Sequence, residues 1–197
     1  MKKYLPLFML PIFLFVLMGC DSAGGIDLSG VTFDGDRPAV AMYIEDHGTI
    51  VMSLFPEYAP ITVENFLNLV ETGFYDGLTF HRIIPGFMMQ GGDPEGTGAG
   101  GSGQSIIGEF TANGIDNPLH HTRGTVSMAR SPEFDSASSQ FFIMHADGLS
   151  LDDEYAAFGE VISGIEVVDS VVNSVTPDAN GAFSEEQPVI KEARVVH

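Results

Sequence analysis

The sequence predicts a mainly β domain that carries two helices. Three observations lead there. Short apolar runs separated by glycine-rich turns dominate the 197 residues, and glycine alone supplies 23 of them. Only two stretches show the 3.6-residue periodicity of an amphipathic helix. Strands do not alternate with helices as in a parallel βαβ fold, and there is no internal repeat.

The first nineteen residues stand apart from that domain. Lys2 and Lys3 make a positive start, and Tyr4 to Met18 is a continuous apolar stretch interrupted only by Pro6 and Pro11. A membrane-spanning helix needs about 20 apolar residues, whereas the shorter run suits the core of a secretion signal. It ends at Leu17-Met18-Gly19-Cys20, which resembles a bacterial lipoprotein cleavage site. Residues 1–19 are therefore expected to be a lipoprotein signal peptide. Cys20, the only cysteine, is expected to be lipidated, to become the mature N-terminus, and to anchor the chain outside the cytoplasm on a bacterial membrane. One acyl chain gives marginal binding and two hold firmly. The rest of the chain then has no thiol, so no disulfide stabilises it.

Residues 20–38 read as the lipidated cysteine and a flexible tether, because Asp21 to Pro38 holds four glycines, four aspartates and few large apolar side chains. As a coil this stretch would span roughly 20–25 Å. Val31 and Phe33 leave open the alternative of an extension packed on the domain. Charge is the other bulk signal. The chain has 8 basic and 27 acidic residues; Lys2 and Lys3 leave with the signal and no acid does, which takes the net charge from −19 to −21. Such a surface excludes nucleic acid as a partner and electrostatic adhesion to anionic lipid. The bilayer is reached through Cys20 only. Cationic substrate segments and a high-salt habitat both remain compatible with the charge.

Residues 39–197 form the domain proper. Ala39 to Ile44 alternates loosely, Asp46-His47-Gly48 supplies a turn, and Thr49 to Leu54 reads as the second strand of a hairpin. Pro60 opens a helix whose Val63, Phe66, Leu67 and Val70 make one apolar stripe, and Gly73 ends it. Short strands and glycine-rich loops continue to Gly159. A second helix is expected over about Ile165 to Val172, with Ile165, Val168 and Val172 on one face. Thr176 to Gln187 is a polar loop, and Val189 to Val196 reads as a final strand.

One segment carries chemistry. Phe80 to Asp93 reads FHRIIPGFMMQGGD. It joins the guanidinium of Arg82, the apolar Phe87 and Met88, and the amide of Gln90 around the turn Pro85-Gly86. Strand alternation lets Met88 and Gln90 point the same way. A guanidinium, a greasy floor and an amide suit an apolar ring held beside a peptide carbonyl, which describes a proline site. Periodicity alone allows a plainer core strand with one surface arginine.

Three other constellations give less. Gly96-Thr97-Gly98-Ala99-Gly100-Gly101 satisfies GxGxxG, but no helical periodicity follows it, so a dinucleotide site is set aside in favour of a loop at a groove rim. The six histidines have no ligand spacing that makes a metal site, and no cofactor is expected. Ser127, Ser138 and Ser139 lack a histidine and an acid at a recognisable spacing, which argues against a hydrolase.

The Phe80–Asp93 segment closely resembles the central motif of cyclophilins, the peptidyl-prolyl cis/trans isomerases. The resemblance continues at Ser127-Met128-Ala129-Arg130, at Ser139-Gln140-Phe141-Phe142-Ile143, and at Leu151-Asp152 followed by Phe158-Gly159, in family order and over about Ala39 to Val196. It implies a closed eight-stranded antiparallel barrel with a helix over each open end. It also implies that Arg82 stabilises the twisted amide and that Phe87, Met88, Phe142 and Leu151 hold the proline ring. Gln90 would bond a substrate carbonyl, and Ala129, Arg130 (chiefly by backbone) and Gln140 would line the groove. His81 precedes Arg82 as in the family. Tyr155 stands where the family often has histidine and keeps a flat wall. Ser150 replaces a rim tryptophan, in a chain with none, which implies weak binding of cyclosporin. The expected function is isomerisation of X-Pro bonds in unfolded exported proteins by a monomer. The rival is a non-catalytic module or chaperone that holds proline segments in the same groove.

Overall fold

The structure is a computed structural model that describes residues 25–176 and 187–197. The signal peptide, Cys20 and most of the polar loop expected over 176–187 lie outside the described residues. Eight strands follow in order: β1 (Ala39–Ile44), β2 (Gly48–Leu54), β3 (Thr79–Ile84), β4 (Met88–Asp93), β5 (Thr125–Met128), β6 (Phe141–Met144), β7 (Ala157–Ser163) and β8 (Ile190–Val196). They form one curled antiparallel sheet in the order β3-β4-β6-β5-β7-β2-β1-β8.

The continuous ring expected of the sheet is not what the ladders make. At its two ends Thr79 of β3 and Val189, just before β8, share one isolated bridge, with Phe80 N–H donating to the Pro188 carbonyl at 2.9 Å, Ile190 N–H to that of Leu78 at 2.8 Å and Gly77 N–H to that of Ile190 at 2.8 Å. Pro188 has no N–H to give back, and β8 becomes regular only at Ile190, so this seam is a short bridge and not a ladder.

Two helices pack on this sheet, both where periodicity puts them. Helix α1 (Pro60–Glu71) has proline in its first turn, and Gly73 follows its end at φ 69°. Its N-terminus is served from a distance. The buried Glu109 carboxylate accepts N–H from Ile61 at 3.1 Å and from Thr62 at 2.7 Å, which meets two of the orphan donors. Helix α2 (Ile165–Ser174) buries Val167, Val168, Val171 and Val172 and packs on β2. Ile165, expected on its inner face, is only partly buried.

Phe66 of α1 centres the interior, 5.1 Å from the ring of Tyr75, 5.3 Å from Phe141 and 5.0 Å from Phe158. Tyr75 is fully buried, and its hydroxyl still finds the Ser139 carbonyl at 3.0 Å. Residues ahead of β1 also touch this body. Asp27 N–H donates to Thr49 Oγ1 at 2.9 Å, and Arg37 bonds Glu57 at 2.6 Å while lying over the Phe55 ring at 4.5 Å.

The β3–β4 pair holds the feature that organises the site. Cα partners run Thr79–Asp93, Phe80–Gly91 and Arg82–Gln90. One residue, Gly92, is extra on β4, and one, His81, is extra on β3. These are two compensating bulges, the device that re-aims a side chain beside an active site. Phe80 and Arg82 would otherwise share a face. Instead Phe80 enters the core and Arg82 faces out. The bulge on β4 needs glycine: Gly92 has φ 85°, and a Cβ there would sit 2.4 Å from the Ser139 carbonyl oxygen. Gly92→Ala is expected to destabilise the domain by more than about 1 kcal/mol, lowering Tm by at least about 2–4 °C. Thermal unfolding followed by circular dichroism checks this, and an unchanged Tm would mean that the bulge tolerates a side chain.

Candidate active site

The outward face of the bulged hairpin meets β6. The register runs Arg82, Gln90, Phe142 and Ser127 across four strands, with Met88 and Met144 paired two residues along. Alternation therefore separates two apolar clusters. Phe80, Ile83, Met89, Phe141 and Ile143 belong to the interior. Met88, Phe142 and Met144 form a second cluster outside, extended by Phe87, Ala129, Leu151 and Tyr155.

That second cluster floors a cavity of about 430 Å³. Phe87, Met88, Phe142, Leu151 and Tyr155 supply apolar walls; Arg82 and Gln90 supply the polar edge. Ala129 and Arg130 border it, and so do His81, Thr97 and Gly98. Gln140 lies in an adjoining cavity of about 190 Å³ that shares Gln90, Gly98, Ala129 and Arg130. All the residues expected at a proline site are thus gathered, Gln140 in the adjoining cavity and the rest around the larger one; Cys20, expected to carry the lipid, is outside the described residues. Ser150 is exposed in a short turn beside Leu151.

A polar rail runs behind the cavity. Arg82 Nη1 donates to Gln90 Oε1 at 3.2 Å, and Gln90 Nε2 donates to Gln140 Oε1 at 2.8 Å. Gln140 Nε2 in turn donates to the Gly98 and Gly100 carbonyls at 3.0 and 2.8 Å. These two glycines belong to the GxGxxG segment, which follows an antiparallel strand and opens no helix. Its organiser is Asp93, whose carboxylate accepts N–H from Glu95, Thr97, Gly98 and Gly100 at 2.8, 3.0, 2.6 and 3.2 Å. A side chain at Gly100 would strike Asp93 Oδ1, at 2.1 Å from its Cβ. The loop is a carboxylate nest, and Thr97 and Gly98 are held at the cavity mouth by it.

Sequence spacing also concealed a relay. Asp152 Oδ1 accepts from His121 Nδ1 at 3.0 Å, and His121 Nε2 accepts from the Ser127 hydroxyl at 3.0 Å. The carboxylate can only accept, which fixes the imidazole tautomer. The arrangement has the outline of a hydrolytic triad, but His121 and Ser127 are both fully buried, so no substrate carbonyl reaches the hydroxyl. Its position explains it better. The His121 ring stacks on Phe142 with centroids 5.9 Å apart, and the Tyr155 ring meets Phe142 edge-on at 5.9 Å. The relay props the pocket floor. Burial lowers the His121 pKa, against the opposing bond and charge of Asp152, so the imidazole stays neutral under Phe142. Burial likewise lowers that of His81, with the charge of Asp93 opposing. Among the described residues no group of three or more His, Cys, Asp or Glu side chains is placed to hold a metal ion.

For Asp93, burial acts to raise the pKa, but the four backbone N–H bonds outweigh it and hold the carboxyl below its ordinary 3.8. The folded value lies under the unfolded one. Its stabilisation is therefore complete above the unfolded pKa and lost as pH falls through the folded pKa. Asp93→Asn should unfold at lower denaturant than the wild type above pH 5 or so, with the gap closing below pH of about 4. Urea titrations at a series of pH values check this; a gap that stays constant down to pH 2 would show that the charge is not what holds the loop.

Comparison with known proteins agrees with this geometry. The family model "Cyclophilin type peptidyl-prolyl cis-trans isomerase/CLD" matches residues 39–195. The chain is 47% identical over 130 residues to peptidyl-prolyl cis-trans isomerase B of Bacillus subtilis, spanning 66% of this chain and 87% of that one. It is 50% identical over 115 residues to a peptidyl-prolyl cis-trans isomerase of Synechococcus elongatus, spanning 58% and 74% of the two. Among solved structures, a Cryptosporidium parvum cyclophilin type isomerase crystallised in the presence of the dipeptide Ala-Pro superposes with TM-score 0.73 at 31% identity, covering 81% of this chain and 99% of that one. The chain belongs to the cyclophilin-type peptidyl-prolyl cis-trans isomerase family.

Proposed function

We propose that the protein catalyses cis/trans isomerisation of X-Pro bonds in exported polypeptides, with Arg82 as the catalytic residue. The observation that carries this is the state of its charge. Of the described arginines and lysines, Arg37, Arg123, Arg130, Lys191 and Arg194 all have carboxylate partners. Arg82 has an amide, Gln90, and an apolar cavity. The barrier to rotation, roughly 18–20 kcal/mol, is the lost amide resonance. As the bond twists, the prolyl nitrogen becomes pyramidal and gains a lone pair. A fixed N–H donor aimed at it stabilises the twisted state more than either planar one, which is the condition for catalysis. The guanidinium keeps its charge at any relevant pH and holds its donors in a rigid fork. The apolar walls take the proline ring, Gln90 takes a neighbouring carbonyl, and no general base is required. Closure of the curled sheet into a barrel belongs to the same reading, supported by the Thr79–Val189 bridge.

Arg82→Ala should lower kcat/KM by about one to three orders of magnitude with Tm close to wild type, and Arg82→Lys should rescue little because a lone ammonium lacks the fork. A coupled or NMR exchange assay on a short X-Pro peptide reads this. A rate within twofold of wild type for Arg82→Ala would favour the non-catalytic binding module instead.

The location proposed is the outer face of a bacterial membrane, anchored through lipidated Cys20 as a monomer. Support comes from the signal-like start and from the acidic surface, which gives anionic lipid nothing to attract. Asp27 and Arg37 are bonded to the body, which shortens the stretch left to act as a tether. The domain then sits closer to the bilayer than a coil running to Pro38 would allow. Cys20→Ala should abolish labelling by radioactive fatty acid and release the protein from the membrane fraction, while high salt should not release the wild type. A variant that stays with washed membranes and is still processed would point to another anchor.

A further inference from the structure

Arg130 borders the cavity, but its guanidinium is fully engaged elsewhere. Nε and Nη2 donate to the Glu154 carbonyl at 3.0 and 2.8 Å, and Nη2 also reaches Glu154 Oε2 at 3.4 Å. Nη1 donates to the carbonyls of Ser131 at 3.0 Å and Pro132 at 3.3 Å. An arginine has five N–H bonds, and these acceptors use them all. None is left for a substrate carbonyl.

The plane of the guanidinium is covered too. Its central carbon lies 4.7 Å from the ring centroid of Tyr155, 5.0 Å from Phe110 and 5.1 Å from Phe134. The side chain is only 9% exposed. One residue on the strand end after β5 therefore ties two loops together: Ser131 to Phe134, and Glu154-Tyr155 just before β7. Tyr155 is the cavity wall, and its ring rests with Arg130 on one contact and the edge-on Phe142 on another. Arginine is suited to this and lysine is not, since an ammonium has three donors, no plane and a stronger hold on water.

We propose that Arg130 is a positioning residue: through Tyr155 it fixes the wall that grips the proline ring, and it thereby sets affinity for proline peptides without acting on the rotating bond. The proposal rests on the isomerase reading of this same cavity. A wall that holds planar and twisted prolines equally contributes uniform binding, so its loss raises KM and leaves kcat.

The test uses the full chain in detergent and two readouts, the Kd for a short Ala-Pro peptide by NMR titration and the kcat and KM for isomerisation. Arg130→Lys should raise Kd and KM by about three- to tenfold with kcat within twofold. Added to Tyr155→Ala, the same change should do nothing further, because the group it acts through is gone. Phe134→Leu, a rim change that keeps the arginine, should raise Kd by about twofold. A Kd within 1.5-fold of wild type for both Arg130→Lys and Phe134→Leu would overturn the proposal. So would a fall in kcat equal to the fall in kcat/KM, or a full additional loss on top of Tyr155→Ala. A wild type that binds the peptide without accelerating isomerisation would sink the isomerase reading alone, and the Kd comparison would still decide the role of Arg130.

Discussion

Phe141 and Phe142 are neighbours on β6 that face opposite ways, and both halves of the molecule hang on that alternation. Phe141 packs on Phe66, Tyr75 and Phe80 in the interior. Phe142 is the floor of the cavity, with His121 against one side and Tyr155 against another. A one-residue slip of β6 would exchange the two rings and move every neighbouring side chain to the wrong face. The core therefore fixes the site. The aromatic packing that stabilises the domain also determines which ring a proline can meet.

The bulges on β3 and β4 solve a problem that alternation creates. Phe80 must reach the core and Arg82 must reach the cavity, yet residues two apart in a regular strand share a face. The extra residue at His81 turns Arg82 outward, and the extra Gly92 on β4 restores the pairing. Gly92 lies beside the Ser139 carbonyl, so the correction is locked by close backbone contact. From there the Arg82–Gln90–Gln140 rail ends on the loop that Asp93 gathers. The guanidinium is thus oriented from one end by strand register and from the other by a buried carboxylate. This is the kind of preorganised support that electrostatic stabilisation of a transition state requires.

The sequence made much of this readable, and the unreadable parts share a physical cause. Both helices announced themselves by stripe, and α1 also by Pro60 and Gly73, because helix signals are local. Phe87, Met88 and Gln90 could be placed together because they sit within four residues of one another. The strand order could not be read, since non-local pairing leaves no trace in a single strand's pattern. Nor could the bulges, which depend on the opposing strand. His121 and Asp152 lie 31 residues apart and meet Ser127 only through the fold. The direction of the Arg130 side chain is set by Phe110, Phe134 and Tyr155 from three separate segments, so its position in the sequence said only that it lay near the groove. Asp93 is the nearest miss: an acid directly before a glycine-rich loop is a recognisable nest signal, and the spacing Asp93 to Gly100 contained it.

The acidity of the chain and Arg82, the one cation without a carboxylate partner among the described residues, belong to one argument. In a domain with 27 acids, an exposed basic side chain readily finds a carboxylate, as Arg37, Arg123, Lys191 and Arg194 do. A carboxylate beside Arg82 would satisfy the guanidinium in the ground state and blunt its attraction for a developing lone pair. The site avoids this by surrounding Arg82 with an amide, backbone carbonyl acceptors further along the rail, and apolar rings. Arg130, the other arginine at the cavity, is kept from competing because its donors are all engaged by the loops it joins. In the proposed roles one charge serves the rotating bond and the other fixes shape, and the difference between them comes from neighbours rather than from residue type.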